Sequence, residues 1–301
     1  MTKEMNTPPV CDYEGSDYQD KFWKEGGRAY EDGAEVLALK RLLPTGGSHL
    51  LELGAGAGRN TPRYRGFERV TLLDYSTTQL QQAIQYLGTD PRYRFVAADV
   101  YRLPFAPRAF DSATMIRTLH HLSEPNIAIA QLRECLADNA VFILEFANKR
   151  NIKSILRYWM GKQDWSPFTP EQVEFVKLNF DFHPKSVRAM LAGNGFKLEQ
   201  EISVSFLRAG FFKRLLPLKL MLAKENFLQH TLSWAAISPS IFLRSTTVPQ
   251  GEEALGMQTE AFFRCPACGH YPLADTPPEL KCGQCGQTYT FKDGIYDFRL
   301  K

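Results

Sequence analysis

The sequence has no apolar run of membrane length. Its longest stretch free of Asp, Glu, Lys and Arg is Asn226–Leu243, and Asn, Gln, His, Ser and Pro interrupt it. A bilayer-spanning helix needs about 20 mainly apolar residues, so no integral membrane segment is expected. The opening residues, "MTKEMNTPPVCDYEG", have no apolar centre of signal-peptide type. Charge of one sign is scarce too. Lys and Arg number 36 against 33 Asp and Glu, a net of +3, which is too little for a dedicated nucleic-acid binder. Cysteine is sparse: there are six in 301 residues, and four of those form two close pairs. This usage fits a reducing, cytoplasmic setting better than a disulfide framework. Cys11 and Cys135 stand apart from the pairs and read as plain thiols. There is no internal repeat and no low-complexity tract.

What is present is an alternation. "HLLEL" (49–53), "RVTLLD" (69–74), "YRFVAAD" (93–99), "FDSATMI" (110–116) and "AVFILEF" (140–146) read as strands. "TTQLQQAIQYLG" and "PNIAIAQLRECLADN" have helical spacing and helix-end residues. Short strands that are apolar on both faces belong in a parallel sheet covered by helices. The fold class is therefore α/β and doubly wound, with ligands expected beyond the carboxyl ends of the strands. Residues 1–24 are polar and read as a flexible segment, and residues 25–248 as the main domain. Within that domain, 147–184 and 208–240 read as insertions, with a helix at "HPKSVRAMLAGNGF" and strands at 197–207 and 240–247. Residues 249–260 are linker-like, and 261–301 carry the cysteine pairs.

"LLELGAGAGRN" is the most informative stretch. A strand runs into Gly54, Ala55, Gly56 and Gly58, where glycine lets the backbone turn tightly and approach a ligand. A dinucleotide fingerprint would place its third glycine at 59, which is Arg59. A nicotinamide-dependent oxidoreductase is thereby disfavoured. An acid, Glu52, stands two residues before the first glycine, which suits a cofactor with an amino-acid end and an adenosine end.

"ELGAGAG" resembles the first motif of class I S-adenosylmethionine-dependent methyltransferases. "LLDYS" resembles that family's second-strand end, "AADVYRLPF" its third, and "FDSATMIRTLHHLSEP" the fourth-strand motif of the ubiquinone and menaquinone biosynthesis type. The resemblance covers residues 25–145 well and the rest of the domain loosely. It implies a Rossmann-like, seven-stranded sheet and S-adenosylmethionine as cofactor. It also implies that Asp74 binds the ribose, that Asp99 with Val100 lies at the adenine, and that Tyr75 packs on adenine or ribose. Backbone amides of the 54–58 loop would face the methionine carboxylate, and Glu52 its ammonium. Arg28 and Tyr30, in "GGRAYED", would add contacts from an N-terminal helix. A strand-end Asp alone can equally be a helix cap.

Methyl transfer from a sulfonium is an in-line displacement, so the enzyme must position the acceptor and exclude water. A general base is needed only if the acceptor loses a proton. Arg117, His120 and His121, in "IRTLHHL", are candidates at the acceptor, with Arg117 also a candidate cofactor contact. The histidines could instead only pack the strand end. Asn148, Lys149 and Arg150 follow the fifth strand and are candidates for an anionic or polar substrate, with His183 a further one. Residues 208–224 carry five cations and no acids. They read as a lid or a homodimer helix with a basic outer face, or as a segment meeting lipid, and Pro217 breaks any long helix there.

Cys265 and Cys268 form one Cys-x-x-Cys, Cys282 and Cys285 another, with thirteen residues between, and glycine follows each pair. Two such knuckles make a four-sulfur tetrahedral site for structural zinc, or for rubredoxin-like iron. "CPACG…LKCGQCGQTYTFKDGIYDF" resembles the small zinc-ribbon activator subunit that partners tRNA and translation-factor methyltransferases, here joined in cis. From Ala261 to Lys301 there are five Lys or Arg and four Asp or Glu; four thiolates on Zn²⁺ would bring that unit to about −1, which does not suit a grip on phosphates.

These readings converge on a class I methyltransferase with a fused structural zinc ribbon, acting on a small-molecule acceptor. The runner-up is an RNA or protein methyltransferase with a built-in activator. It would gain from a continuous basic face joining Lys149, Arg150, Lys153, Arg157 and the 208–224 cations. A third reading is a non-catalytic binding protein that recruits partners.

Overall fold

A computed structural model describes residues 8, 9, 14, 27–88, 90–251, 256–257 and 261–300. Most of the expected N-terminal segment and much of the expected linker lie outside the described residues.

Five parallel strands form the centre: β1 (Gly47–Leu53), β2 (Phe67–Asp74), β3 (Tyr93–Ala97), β4 (Phe110–Met115) and β5 (Leu136–Ala147), side by side in the order 3-2-1-4-5. Leu50, Leu51, Glu52 and Leu53 of β1 are all buried, as a strand covered on both faces requires. Beyond β5 run two strands in antiparallel pairing, β9 (Ser240–Thr247) against β5 and β8 (Phe196–Val204) against β9. These are the seven strands expected.

Helices cover both faces. On one lie α1 (Ala29–Leu42), packed with Ile116, Ile143, Ile202 and Phe242, and α2 (Thr77–Leu87), packed with Leu50, Leu72 and Phe95. On the other lie α3 (Pro125–Cys135) and α5 (Pro184–Gly193), against Leu51, Phe142 and Leu144. Ser76 caps α2 by accepting from the Gln79 amide at 3.2 Å, and Pro125 opens α3 where a missing N–H costs nothing.

The first insertion is more regular than its sequence. It holds α4 (Ile152–Trp159) and a two-stranded ribbon of β6 (Val173–Val176) and β7 (Asn179–Asp181). The second holds α6 (Gly210–Leu215) and α7 (Leu218–Thr231), separated by Pro217 as expected. Ala147 and Val204 both pair with Ser240, so both insertions leave the sheet at the same end.

The cysteine unit extends this sheet. Its strands are β10 (Glu279–Lys281), β11 (Thr288–Lys292) and β12 (Ile295–Asp297), and β12 pairs in parallel with β3, making ten strands in all. Phe263, Leu280, Tyr289 and Phe298 share one buried cluster with Phe105, Phe110 and Leu132. The Arg94 guanidinium lies 4.2 Å from the Phe262 ring centre. Among the described residues, no helix is long and apolar enough to cross a membrane.

Candidate functional site

The carboxyl ends of β1, β2, β3 and β4 bring the glycine loop and the strand-end acids together. Gly54 has φ +66°, and a Cβ there would stand 2.0 Å from Thr118 Oγ1, so only glycine fits. Thr118 Oγ1 donates in turn to the Leu53 carbonyl at 3.2 Å, tying the loop after β4 to the end of β1.

Asp74 braces the loop directly. Its Oδ2 accepts from the Gly56 amide at 2.8 Å and its Oδ1 from the Ser76 amide at 3.0 Å. A carboxylate has about four acceptor positions, so it retains capacity for hydroxyl donors. The amides of Gly54 and Ala55 bond to the Leu73 carbonyl, and that of Gly58 to the Ala55 carbonyl. Thus the loop amides expected to face a carboxylate at 54, 55, 56 and 58 already have protein acceptors. Glu52 is turned inward: Thr61 Oγ1 donates to it at 2.6 Å, and burial pushes its pKa up to about 7. Asp99 accepts from the Tyr101 amide at 2.9 Å, and burial raises its pKa. Val100 is partly buried against the core.

Helix α1 closes over these loops through ion pairs. Arg63 Nη2 meets Asp32 at 2.6 Å, Arg59 Nη2 meets Glu35 at 2.7 Å, and Arg117 Nε donates to Glu35 at 2.6 Å. Burial alone would raise the Glu35 pKa, but Arg117 and Arg59 hold it below the usual carboxylate value. Arg117, expected at the acceptor, therefore has its guanidinium committed to α1, and its backbone, at φ +57°, donates to Glu145 at 2.8 Å. Arg28 pairs with Glu31 at 3.6 Å. Tyr30 faces the second insertion. It is 2% exposed, its hydroxyl donates to Glu225 of α7 and it accepts from the Leu207 amide at 2.8 Å. The second insertion has claimed the side chain expected at the cofactor.

His120 and His121 have ring centres 4.0 Å apart. His121 Nδ1 donates to the Leu178 carbonyl at 3.1 Å. Burial, then His121, Arg117 and Arg208, press the His120 pKa well below its ordinary value, so it stays neutral. Sequence reasoning missed Asp181 of β7. Phe180 and Phe182 beside it are buried, so strand alternation turns Asp181 to the opposite side. Its carboxylate has no hydrogen bond or ion pair among the described residues. Burial pushes its pKa up to about 6; Arg208 and Lys149 pull it down and Glu145 raises it. Arg208 is thus a charged neighbour of both His120 and Asp181. The only sequence signal for Asp181 was an acid between two aromatics before "HP".

The substrate candidates after β5 divide. Asn148 Nδ2 donates to the Ala236 and Ser238 carbonyls at 2.9 and 2.8 Å, so it is a structural clasp between insertions. Lys149 is fully buried, with Nζ on the Glu171 carbonyl at 2.6 Å and Thr169 Oγ1 at 3.2 Å. Both amino-acid side chains are consumed by folding the insertion, and Lys149 contributes to no surface. Arg150 and His183 instead line a common cavity, separate from the glycine loop. His183 also caps α5, accepting at Nδ1 from the Lys185 amide at 3.2 Å.

The four cysteine sulfurs lie within 4.8 Å of one another, with Cys265–Cys285 and Cys268–Cys282 both at 3.7 Å. Tetrahedral Zn–S bonds of about 2.3 Å imply sulfur separations of roughly 3.8 Å, so the set fits zinc. Gly269 and Gly286 turn at φ +77° and +76°, and their amides bond back to the Cys265 and Cys282 carbonyls. From this unit Arg299 reaches the cofactor-motif loop. It donates to the Tyr75 carbonyl at 3.3 Å and is held by Asp297 at 2.7 Å.

Residues 51–144 match the family model described as "Methyltransferase domain". This part of the chain is a methyltransferase domain. An O-methyltransferase, cnsE, of Penicillium expansum is 30% identical over 135 residues, 41% of this chain and 48% of that protein. A demethylmenaquinone methyltransferase of Clavibacter sepedonicus is 29% identical over 114 residues, 37% of this chain and 46% of that one. The chain spans about half the length of these relatives. Among solved structures, a complex between the Haloferax volcanii Trm112 methyltransferase activator and a methyltransferase matches with a TM-score of 0.55 at 14% identity, over 77% of this chain and 96% of that one. At that identity the likeness concerns the fold. The methyltransferase domain contains the glycine loop, Asp74, Asp99 and the fourth-strand histidines.

Proposed function

We propose that this protein transfers a methyl group from S-adenosylmethionine to a small-molecule acceptor, and that its four cysteines hold a structural zinc ion. The observation that carries the reading is the Gly56–Asp74 contact at 2.8 Å within a matched methyltransferase domain. It sets a charged acceptor beside a loop that tolerates no side chain at Gly54.

S-adenosylmethionine supplies an electrophilic methyl on a sulfonium. Asp74 would take the ribose hydroxyls in charge-assisted bonds while it orders the loop. Asp99 would sit at the adenine, and Tyr75, steadied by Arg299, would pack on the nucleoside. The ion pairs of Arg59, Arg63 and Arg117 to α1 keep that helix over the site and water out of it. Asp181 can take a proton from the acceptor, with neutral His120 beside the same Arg208. The cysteine site is closed by four sulfurs, which leaves zinc a structural role.

A second reading follows from the pairing of β12 with β3 and from the activator named in the similar complex. There the ribbon acts as an activator in cis, and the acceptor is RNA or protein. Against it, burial removes Lys149 from any basic face. The test uses labelled S-adenosylmethionine, the purified protein and an extract from cells lacking it, separated into RNA, protein and solvent-extractable fractions. Label in the solvent fraction is expected; label confined to RNA or protein would overturn the small-molecule acceptor.

A further inference from the structure

Beside the start of α5 lies a cavity of about 350 Å³, lined by Arg150, His183, Lys185, Arg188, Phe168 and Trp234. That is within the usual size range of small-ligand sites, roughly 300–1,000 Å³. Three cations line it, and one of them has a matching acid. Arg188 is neutralised by Glu201, with bonds of 2.7 and 2.8 Å. The Arg150 guanidinium donates to the Ala235 carbonyl at 3.0 Å and has no carboxylate partner among the described residues. Lys185 is exposed and has no carboxylate partner among the described residues.

His183 adds a neutral donor. It is 5% exposed, and its Nδ1 accepts from the Lys185 amide, so its proton sits on Nε2. Nε2 has no protein partner among the described residues. The opening turn of α5 adds the positive end of a ten-residue helix. Two aromatic side chains complete the wall: Trp234 is 81% exposed and Phe168 45%. The Trp234 Nε1 donates to the Thr231 carbonyl at 3.0 Å, which fixes the ring while leaving its face open to a ligand. Cations that face a carboxylate from one side and flat apolar rings from the other select a flat anion.

We propose that this cavity binds an aromatic carboxylate, its acid group against Arg150, Lys185 and His183 and its ring against Trp234 and Phe168. The site lies within the elements that both insertions contribute, since Trp234 comes from the second and Phe168 from the first. No residue of the glycine loop, Asp74 or Asp99 lines the cavity, so the anion is a second ligand and its class stands apart from the methyl-transfer reading.

The test is calorimetry on the full chain without cofactor, so a failure here and a failure of methyl transfer are separate results. The probes are 2-naphthoate and 2-naphthamide, the same ring without the charge. Saturable 1:1 binding of naphthoate is expected, with the amide at least about tenfold weaker. Lys185→Glu, at an exposed position that leaves the fold alone, should weaken naphthoate about tenfold or more, and Trp234→Ala several-fold. Equal affinity for acid and amide, unchanged affinity in Lys185→Glu, or no naphthoate binding at millimolar concentration would each overturn the proposal.

Discussion

The guanidinium of Arg299 sits 5.7 Å from the centre of the Tyr75 ring and donates to the Tyr75 carbonyl. One residue belongs to the cysteine unit and the other follows the second-strand acid. Asp297, in β12, holds Arg299 with two bonds of 2.9 and 2.7 Å, while β12 pairs with β3. The cysteine unit therefore touches the proposed cofactor site through one side chain set by one strand.

Arg299→Ala should weaken S-adenosylmethionine binding about two- to fivefold, the scale of one cation–aromatic contact. The four-cysteine site should keep the proposed zinc, as metal analysis of the purified variant would show. Calorimetry showing unchanged cofactor affinity would mean that the contact serves only packing.

Asp74→Ala removes both the acceptor for ribose hydroxyls and the brace on the Gly56 amide. A loss of roughly a hundredfold in cofactor affinity is expected, in line with about 3 kcal/mol for charge-assisted bonds. The circular dichroism spectrum should be that of the unaltered protein. Wild-type affinity would remove Asp74 from the cofactor site.

Asp181 gives a pH dependence with a definite sign. As proton acceptor it works ionised, so kcat/KM should rise with pH through about 6. The groups that face it are Arg208, Glu145 and Lys149. Asp181→Asn should lower the rate by roughly 10²–10³ and abolish that limb. Its folded pKa lies above the ordinary 3.8, so the native state holds the proton longer. Stability therefore falls as pH rises between those two values. The Asn variant should melt higher than wild type at about pH 8 and equal it below about pH 4. An unshifted pH–rate profile in the variant would exclude the proposed role.

Stripping the proposed zinc with a chelator, or Cys282→Ser, should free β12 from β3 and open the cluster around Phe263. The melting temperature should drop by about 3–5 °C, the effect of about 2–3 kcal/mol in a chain of this size. Protease should then cut within the cysteine unit. A variant as protease-resistant as wild type would count against a structural metal.

The central sheet was legible because its signals are local. Each strand is a short apolar run, and Ser76, Pro125 and Gly88 mark the helix ends. The cysteine knuckles were legible for the same reason. Pairing between distant segments was not: nothing within "DGIYDF" says that Ile295–Asp297 will lie beside Phe95–Ala97. The same limit explains Tyr30, whose partner Glu225 lies 195 positions away. Asn148 and Lys149 were read from their place after a strand, but their acceptors, the carbonyls of Ala236 and Glu171, come from insertions that have no sequence signature. Asp181 escaped because its character comes from burial, which a single acid between two aromatics does not reveal.

The β12–β3 ladder is only three residue pairs long, too short to hold two separate chains together by itself. Carried on one polypeptide, it forms at an effective concentration in the millimolar range, whatever the dilution of the protein. The docked state is thus insensitive to expression level, and the stoichiometry of sheet and ribbon is fixed at one to one. A separately produced ribbon would have to regain by affinity what covalent continuity provides here by proximity.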